Sequence, residues 1–472
     1  MNPPLFVVVG HVNRGKSSIV STLAADDSVE IDPMPGTTAD CNRYRMRIGE
    51  SILLEFVDTP GFERPRQMLS WLVEHETNTA ERPQTVAAFV DLHGQSETFA
   101  RECTLIRPIL EGGIILYVVD ASRPPSVKEE AEMEILRWTG QPRMALLNPI
   151  ADADYVREWR SVLDQYFNLV RRFDAQGADF NERMQLLSAL REVSEKTRSP
   201  LEHAIDTLKA DRRANLEEAA EILAEMLVEI LTLTKQKRIK VDVDPAPYHA
   251  PLAERYYDRI RDLETAAQTR LKGVFRHRRL NVQQETIGQL DDDLFNLSLW
   301  NHLGLTAPQL LATGAATGAA AGGAIDLAVG GVSLGAALAA GAALGAAASW
   351  WAGRQLPRVN VQGIPLGGQL LQIGPMSNRE FPWVLLDRNL LFFEIVADHP
   401  HASRDRIEVE SQGIVSHFPV ALRNRLERVF AQLRRGPGAE QMELLKNTLA
   451  DSLTEYLLGS DTSDMLEKRL PQ

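Results

Sequence analysis

Lys16 and Ser17 close the run Gly10-His-Val-Asn-Arg-Gly15-Lys16-Ser17, and their spacing fits phosphate chemistry. The glycines let backbone N–H groups turn inward on phosphate oxygens. Lys16 then brings a point charge to the β/γ oxygens and Ser17 a hydroxyl for Mg²⁺. Downstream stands Asp58-Thr59-Pro60-Gly61. A carboxylate there can hold Mg²⁺ through water, and a glycine N–H can meet a γ-phosphate. Between the two lies Pro35-Gly36-Thr37-Thr38. A threonine on a mobile loop at this point can close on the metal and the γ-phosphate, which is how a nucleotide switch is built. Alone, Asp-Thr-Pro-Gly is an ordinary turn; in this order and spacing the three motifs reinforce one another.

The elements that must position these groups are legible around them. Residues 5–9 form a short apolar run, as a buried parallel strand does, and a helical pattern follows Ser17 through Leu23. Residues 44–48 and 53–57 read as strands, the second ending at Asp58. Further strands are expected at 113–119, 143–147 and 167–173. The expected fold is an α/β phosphate-binding domain, a mostly parallel sheet flanked by helices.

These residues resemble the small GTPase domains, closest to the branch that holds TrmE, Era, EngA and the septins. The resemblance covers roughly residues 4–176 and implies binding of GTP/GDP with Mg²⁺, Thr38 being the switch threonine that ligates the metal. Asn13 matches the asparagine that in TrmE-like members helps bind K⁺ in place of an arginine finger; its other reading is a residue steadying the loop turn. Phe62 stands where many GTPases carry a water-positioning Gln, and TrmE-like members are apolar there; packing beneath the switch is the other reading. The guanine-reading end departs from the pattern. Asn148-Pro149-Ile150-Ala151-Asp152 replaces Asn-Lys-x-Asp, with proline for the lysine and the aspartate one residue late, and Asp174-Ala175 replaces Ser-Ala-Lys. Weakened guanine selectivity is expected, with Asp152 or Asp154 reaching the base only if the loop bulges.

The resemblance thus implies nucleotide contacts from Gly10, Asn13, Arg14, Gly15, Lys16, Ser17, Ser18, Asp58, Gly61, Asn148, Asp152, Asp174 and Ala175. It implies metal ligation by Ser17, Thr38 and Asp58, and hydrolysis served by Lys16, Thr38, Gly61 and Asn13. About 50 residues separate Gly61 from the next strand, with helical patterns near 67–74 and 98–107. That insertion either moves with the γ-phosphate or sits passively.

From Asn181 the pattern is helical to about 235, with Ser199-Pro200 reading as a helix start. Leu216, Ala220, Leu223, Leu227 and Ile230 form an apolar seam too short for an extended coiled coil, so a packed bundle is expected. Helix resumes near 251–276. Lys272, Arg276, His277, Arg278 and Arg279 are basic, read as a solvated face or as a contact for anionic headgroups. From 312 to 349, 26 of 38 residues are Ala or Gly, and Asp326 is the only charged residue between His302 and Arg354. Glycines recur at spacing four, as in Gly314/Gly318/Gly322. Two close-packed helices, 309–325 and 327–351, turning at Asp326, are expected, either meeting the membrane conditionally or buried in a helical core. Residues 381–386 and 390–396 read as strands turned at Asp387-Arg-Asn389, and helices follow at 420–434 and 439–458. The expected domains are 1–177, 178–305, the Ala/Gly hairpin 306–353, and a small β plus helical part 354–472. This layout resembles a bacterial family of GTPase-headed proteins whose C-terminal part is a domain of unknown function, and it implies a protein partner encoded by a neighbouring gene.

Charge and cysteines bound the function. With 51 Lys+Arg against 64 Asp+Glu, the net charge of −13 argues against nucleic acid as main partner. Two cysteines are too few for a disulfide framework, so a reducing compartment is expected. With no basic leader before the first strand, no secretory signal is expected; a cytoplasmic protein is expected, associated with the inner membrane through the Ala/Gly segment. The function expected is a GTP-hydrolysing switch, with K⁺ activation; the alternatives are a nucleotide-dependent scaffold with little turnover and a dynamin-like membrane remodeller.

Overall fold

A run of five apolar residues has no polar face to show to water, so the first strand lies at the centre of a sheet covered on both sides. In the computed structural model it is β1 (Leu5–Gly10), whose Phe6, Val7, Val8 and Val9 are all buried. Residues 3–10, 16–23, 30–33, 41–95, 97–148, 155–174, 178–240, 243–275, 354–355, 360–361, 364–365, 369–398 and 413–461 are described. After β1 come α1 (Lys16–Leu23), β2 (Glu30–Pro33), β3 (Asn42–Ile48) and β4 (Ser51–Asp58). Then follow α2 (Pro65–Glu74), α3 (Arg82–His93), α4 (Ala100–Leu110), β5 (Ile114–Asp120), α5 (Val127–Trp138), β6 (Arg143–Asn148), α6 (Val156–Tyr166) and β7 (Leu169–Arg172).

The sheet order is β2-β3-β4-β1-β5-β6-β7. β1 pairs in parallel with both β4 and β5, and β5, β6 and β7 continue in parallel, while β2 and β3 form an antiparallel edge. This is the expected mostly parallel sheet with flanking helices. Strand side chains alternate between faces. Val7, Val9, Val57, Ile115 and Tyr117 point into one core with residues of α2 to α6. Phe6, Val8, Phe56, Leu116 and Val118 point into the other. That second core also holds residues of α1, of α7 (Phe180–Arg191) and of the first turns of α8 (Glu195–Thr232). The inserted segment carries three helices rather than the two expected.

The described chain up to Arg212 forms one compact unit, and the division falls inside α8. In the other unit, α8 is followed by β8 (Lys235–Ile239) and α9 (Ala246–Val274). Then come β9 (Arg354–Gln355), β10 (Asn360–Val361), β11 (Ile364–Pro365), β12 (Gln369–Ile373), α10 (Phe381–Asp398), α11 (Val420–Leu433) and α12 (Ala439–Asp461). β8, β12 and β9 make a small antiparallel sheet and β10–β11 a short ribbon. Leu216, Ala220, Leu223, Leu227 and Ile230 are buried in a core shared with α9 to α12, the bundle reading of that seam.

Two expectations about helix starts are corrected. α8 begins at Glu195, with Pro200 inside it, and α9 begins at Ala246, with Pro251 inside it. Each proline is the sixth residue of its helix, beyond the first turn, so it forfeits one backbone bond without marking the boundary. The strand hairpin expected at 381–396 is likewise one helix, α10. Short apolar runs do not distinguish strand from buried helix. The polar triad between them is buried and bonded in the core rather than turned to solvent. Arg388 Nε lies 2.9 Å from Glu264 Oε1. Asn389 Nδ2 donates to Glu264 Oε1 at 3.1 Å and to Leu385 O at 2.8 Å. Asp387 Oδ1 accepts the Val415 N–H at 2.7 Å. Lys272 sits 5.5 Å over the Phe392 ring; residues 276–279 and the Ala/Gly segment lie outside the described residues. Among the described residues no helix is long and apolar enough to cross a membrane.

Candidate functional site

In an open parallel sheet, ligands bind beyond the carboxyl ends of the strands, where successive connections leave to opposite sides. Here that point is the end of β1, between β4 and β5. Strand register sets Val8 beside Asp58, Gly10 beside Val118, and Asp120 beside Asn148. Gly10, Asp58 and Asn148 are thereby brought to one edge of the sheet.

The close approach there depends on glycine. Gly10 has φ +151, and a Cβ on it would lie 2.4 Å from Val118 O. Lys16, the first residue of α1, is buried, and its Nζ donates to Gly10 O at 2.9 Å. Gly61, with φ +80, closes on the same carbonyl: a Cβ would meet Gly10 O at 2.7 Å and stand 3.7 Å from Lys16 Nζ. Thr59 ties the second motif to β1, its Oγ1 donating to Val8 O at 2.7 Å. The two motifs thus form one cradle with an ammonium at its floor. Burial pulls the Lys16 ammonium below its usual value, against the upward pull of the Asp58 and Glu132 carboxylates. The donor set fits a phosphate: an ammonium beside backbone that only glycine permits.

Ser17 and Ser18 stand in the first turn of α1. Asn148 is buried at the end of β6, and Asp174 is exposed just beyond β7. Asp120 Oδ1 and Oδ2 accept the Ser122 N–H and hydroxyl at 2.9 and 2.8 Å. Asn13, Arg14, Gly15, Thr38, Asp152 and Ala175 lie outside the described residues. Of the expected metal ligands, Asp58 is the one whose side chain is described. Phe62 is buried with Met68, Leu72, Val86 and Phe89. The side chain after Gly61 therefore points into the core.

Three buried groups beside the site escaped the sequence reading. Glu102 of α4 is fully buried, and its Oε1 accepts the backbone N–H groups of Glu63 at 2.9 Å and Arg64 at 2.5 Å. Glu132 of α5 is fully buried and accepts the Tyr117 hydroxyl at 2.9 Å. Burial pushes the Glu132 carboxyl up to about 7 and the Tyr117 phenol well above its usual value. A signal was available: Glu102 shares its helix face with Leu105, Ile106 and Ile109, and Glu132 is ringed by Met133, Ile135 and Leu136, all buried. A carboxylate on an apolar face must be bonded.

Residues 160–455 match the family described as "Domain of unknown function (DUF3482)". The chain belongs to that family. Ahead of the DUF3482 region, residues 5–148 match the family described as "50S ribosome-binding GTPase". Curated relatives match over this part. The tRNA modification GTPase MnmE of Azoarcus sp. (strain BH72) is 33% identical over 92 residues, 19% of this chain and 20% of the relative. GTPase Der of Stenotrophomonas maltophilia is 28% identical over 33% of this chain and 28% of the relative. GTPase Era of Fusobacterium nucleatum is 24% identical over 32% of this chain and 41% of the relative. The matches with MnmE and Der thus span a fifth to under a third of those relatives' length. A crystal structure of Aquifex aeolicus Era bound to GDP.AlF4- is similar at 18% identity and a TM-score of 0.26, over 52% of this chain and 76% of that one.

Proposed function

We propose that this DUF3482 chain is a guanine-nucleotide switch that hydrolyses GTP at the carboxyl edge of its parallel sheet. The observation that carries the reading is the cradle in which Gly10, Gly61 and the buried Lys16 ammonium converge on one carbonyl. In this reading Lys16 releases Gly10 O to take the β/γ oxygens. The loop N–H groups of Asn13, Arg14 and Gly15 and the first turn of α1, with Ser17 and Ser18, hold the phosphates. Gly61 N–H meets the γ-phosphate. Ser17, Thr38 and Asp58 would hold Mg²⁺, which when bound neutralises charge developing on the transferred phosphoryl group. Asn148, Asp152, Asp174 and Ala175 face the base, with reduced guanine selectivity because Ala151 stands where the reading carboxylate belongs. Asn13 binds K⁺, and the Ala/Gly segment brings the chain to inner-membrane lipid or to a protein partner.

A scaffold that binds nucleotide with little turnover is the second reading. Burial of Phe62 favours it, since no side chain at that position is left to orient a water. GTP turnover by the full chain decides between them, with Lys16→Ala and Ser17→Asn as inactive references. Turnover well above both variants supports the switch. Nucleotide binding with turnover no faster than Lys16→Ala supports the scaffold.

A further inference from the structure

Gly61 owes its position to two anchors on either side of it. Upstream, Thr59 is bonded to Val8 of the central strand by its hydroxyl at 2.7 Å and by its N–H at 3.4 Å. Downstream, the backbone N–H groups of Glu63 and Arg64 both end on Glu102 Oε1. Between the anchors the chain makes a left-handed turn at Gly61 and drops the Phe62 side chain into the core. The second anchor does not come from the segment it holds. Helix α2 has Arg64 at its N-cap and no side-chain cap of its own there, and Glu102 takes the N–H of that N-cap residue and of Glu63 just before it. A carboxylate at a helix N-terminus also faces the positive end of the helix dipole, and charge-assisted bonds are the strong ones. Glu102 belongs to α4, which is fixed to the sheet core through Cys103, Leu105, Ile106 and Ile109.

We infer that Glu102 is a positioning residue for the nucleotide response: through the Glu63 and Arg64 backbone it sets where Gly61 presents its N–H, and it makes the 65–110 insertion part of the switch rather than a passive addition. The inference rests on the proposed nucleotide reading and gives it a specific dependence. GDP lacks the γ-phosphate that Gly61 would meet. Loss of the downstream anchor therefore weakens triphosphate recognition selectively, whereas a general loss of fold weakens both nucleotides.

The test uses the full chain with three variants, Glu102→Gln, Glu102→Asp and Glu102→Leu. GDP and GTPγS affinities are measured by titration, and GTP turnover alongside. The Gln variant keeps a carbonyl acceptor at the same reach and should stay within about 3-fold of wild type in all three. The Leu variant should lose roughly 10-fold or more in GTPγS affinity and in kcat, with GDP affinity held within about 2-fold. Should the Leu variant not fold, the Asp variant, which draws the acceptor back by one methylene, should give the same split at smaller size. An unchanged GTPγS-to-GDP ratio in the folded Leu variant, or in the Asp variant where Leu does not fold, overturns the role of Glu102 alone. A wild-type chain that binds neither nucleotide overturns the switch reading and this inference with it.

Discussion

Buried charge serves different ends at Lys16 and Glu102 of the first unit and at the Arg388–Glu264 pair of the second. In the first, Lys16 and Glu102 lie at the carboxyl edge of the sheet and spend their bonds on backbone: Lys16 on Gly10 O, Glu102 on the Glu63 and Arg64 N–H groups. In the second, Arg388 and Asn389 sit in the middle of α10 and meet Glu264, another side chain, with Asn389 also donating to Leu385 O. Groups that grip loop backbone at strand ends position something the loop must present. Groups that neutralise one another inside a helical core specify how helices pack, at a desolvation cost the pairing offsets. Lys16 and Glu102 therefore point to a site in the first unit, and the Arg388–Glu264 pair to internal architecture in the second.

The largest expected effect is in the second unit. Arg388→Met removes the cation paired with the buried Glu264 carboxylate and should cost about 3–5 kcal/mol of stability. Thermal unfolding reads the loss, and nucleotide affinity of the folded protein should not change. A nucleotide defect in this variant would break the division of roles.

Glu132 offers a pH-dependent test in the first unit. Its folded value of about 7 lies above the ordinary 4.5. Between these values the folded state holds the extra proton, so stability present below about pH 4.5 is lost as pH rises through 7. A shift of this size corresponds to roughly 3 kcal/mol. Glu132→Gln should accordingly melt higher than wild type at pH 8, with the gap shrinking toward pH 5. A gap that does not vary with pH would remove burial of the ionised carboxylate as the cause.

The smallest effect concerns the cation. Turnover in KCl should exceed that in NaCl at equal ionic strength by a few-fold, roughly 1 kcal/mol in barrier, and Asn13→Ala should erase the difference. Equal rates in both salts return Asn13 to steadying the loop.

How much of this was legible in the sequence follows from where each constraint acts. Gly10, Lys16, Asp58 and Gly61 were readable because the phosphate motifs are local: a strand end, a glycine turn and a helix start fix one another within a few residues. The parallel strands around them were readable for the same reason, being short apolar runs with turn residues between; the edge strand β2 was not among the expected strands. Glu102 was not, because its partners at 63 and 64 lie 39 and 38 residues away and meet it only once α4 has packed on the sheet. Asp387-Arg-Asn389 misled because a polar triad between apolar runs usually marks a turn. Its partners, at Glu264 and Val415, are over a hundred residues before it and 28 after it in the chain. Pro200 and Pro251 misled because each sits inside its helix as the sixth residue rather than at the start, and the long helix continues despite the one backbone bond lost.

The central claim is that the cradle of Gly10, Lys16 and Gly61 holds the phosphates of a guanine nucleotide. Calorimetric titration of GDP with Mg²⁺ into the full-length wild type and Lys16→Ala tests it most directly. Removing a buried ammonium that bonds phosphate should weaken binding roughly 100-fold, about 3 kcal/mol, with the melting temperature of the nucleotide-free protein little changed. Equal GDP affinity in the two proteins would contradict the account.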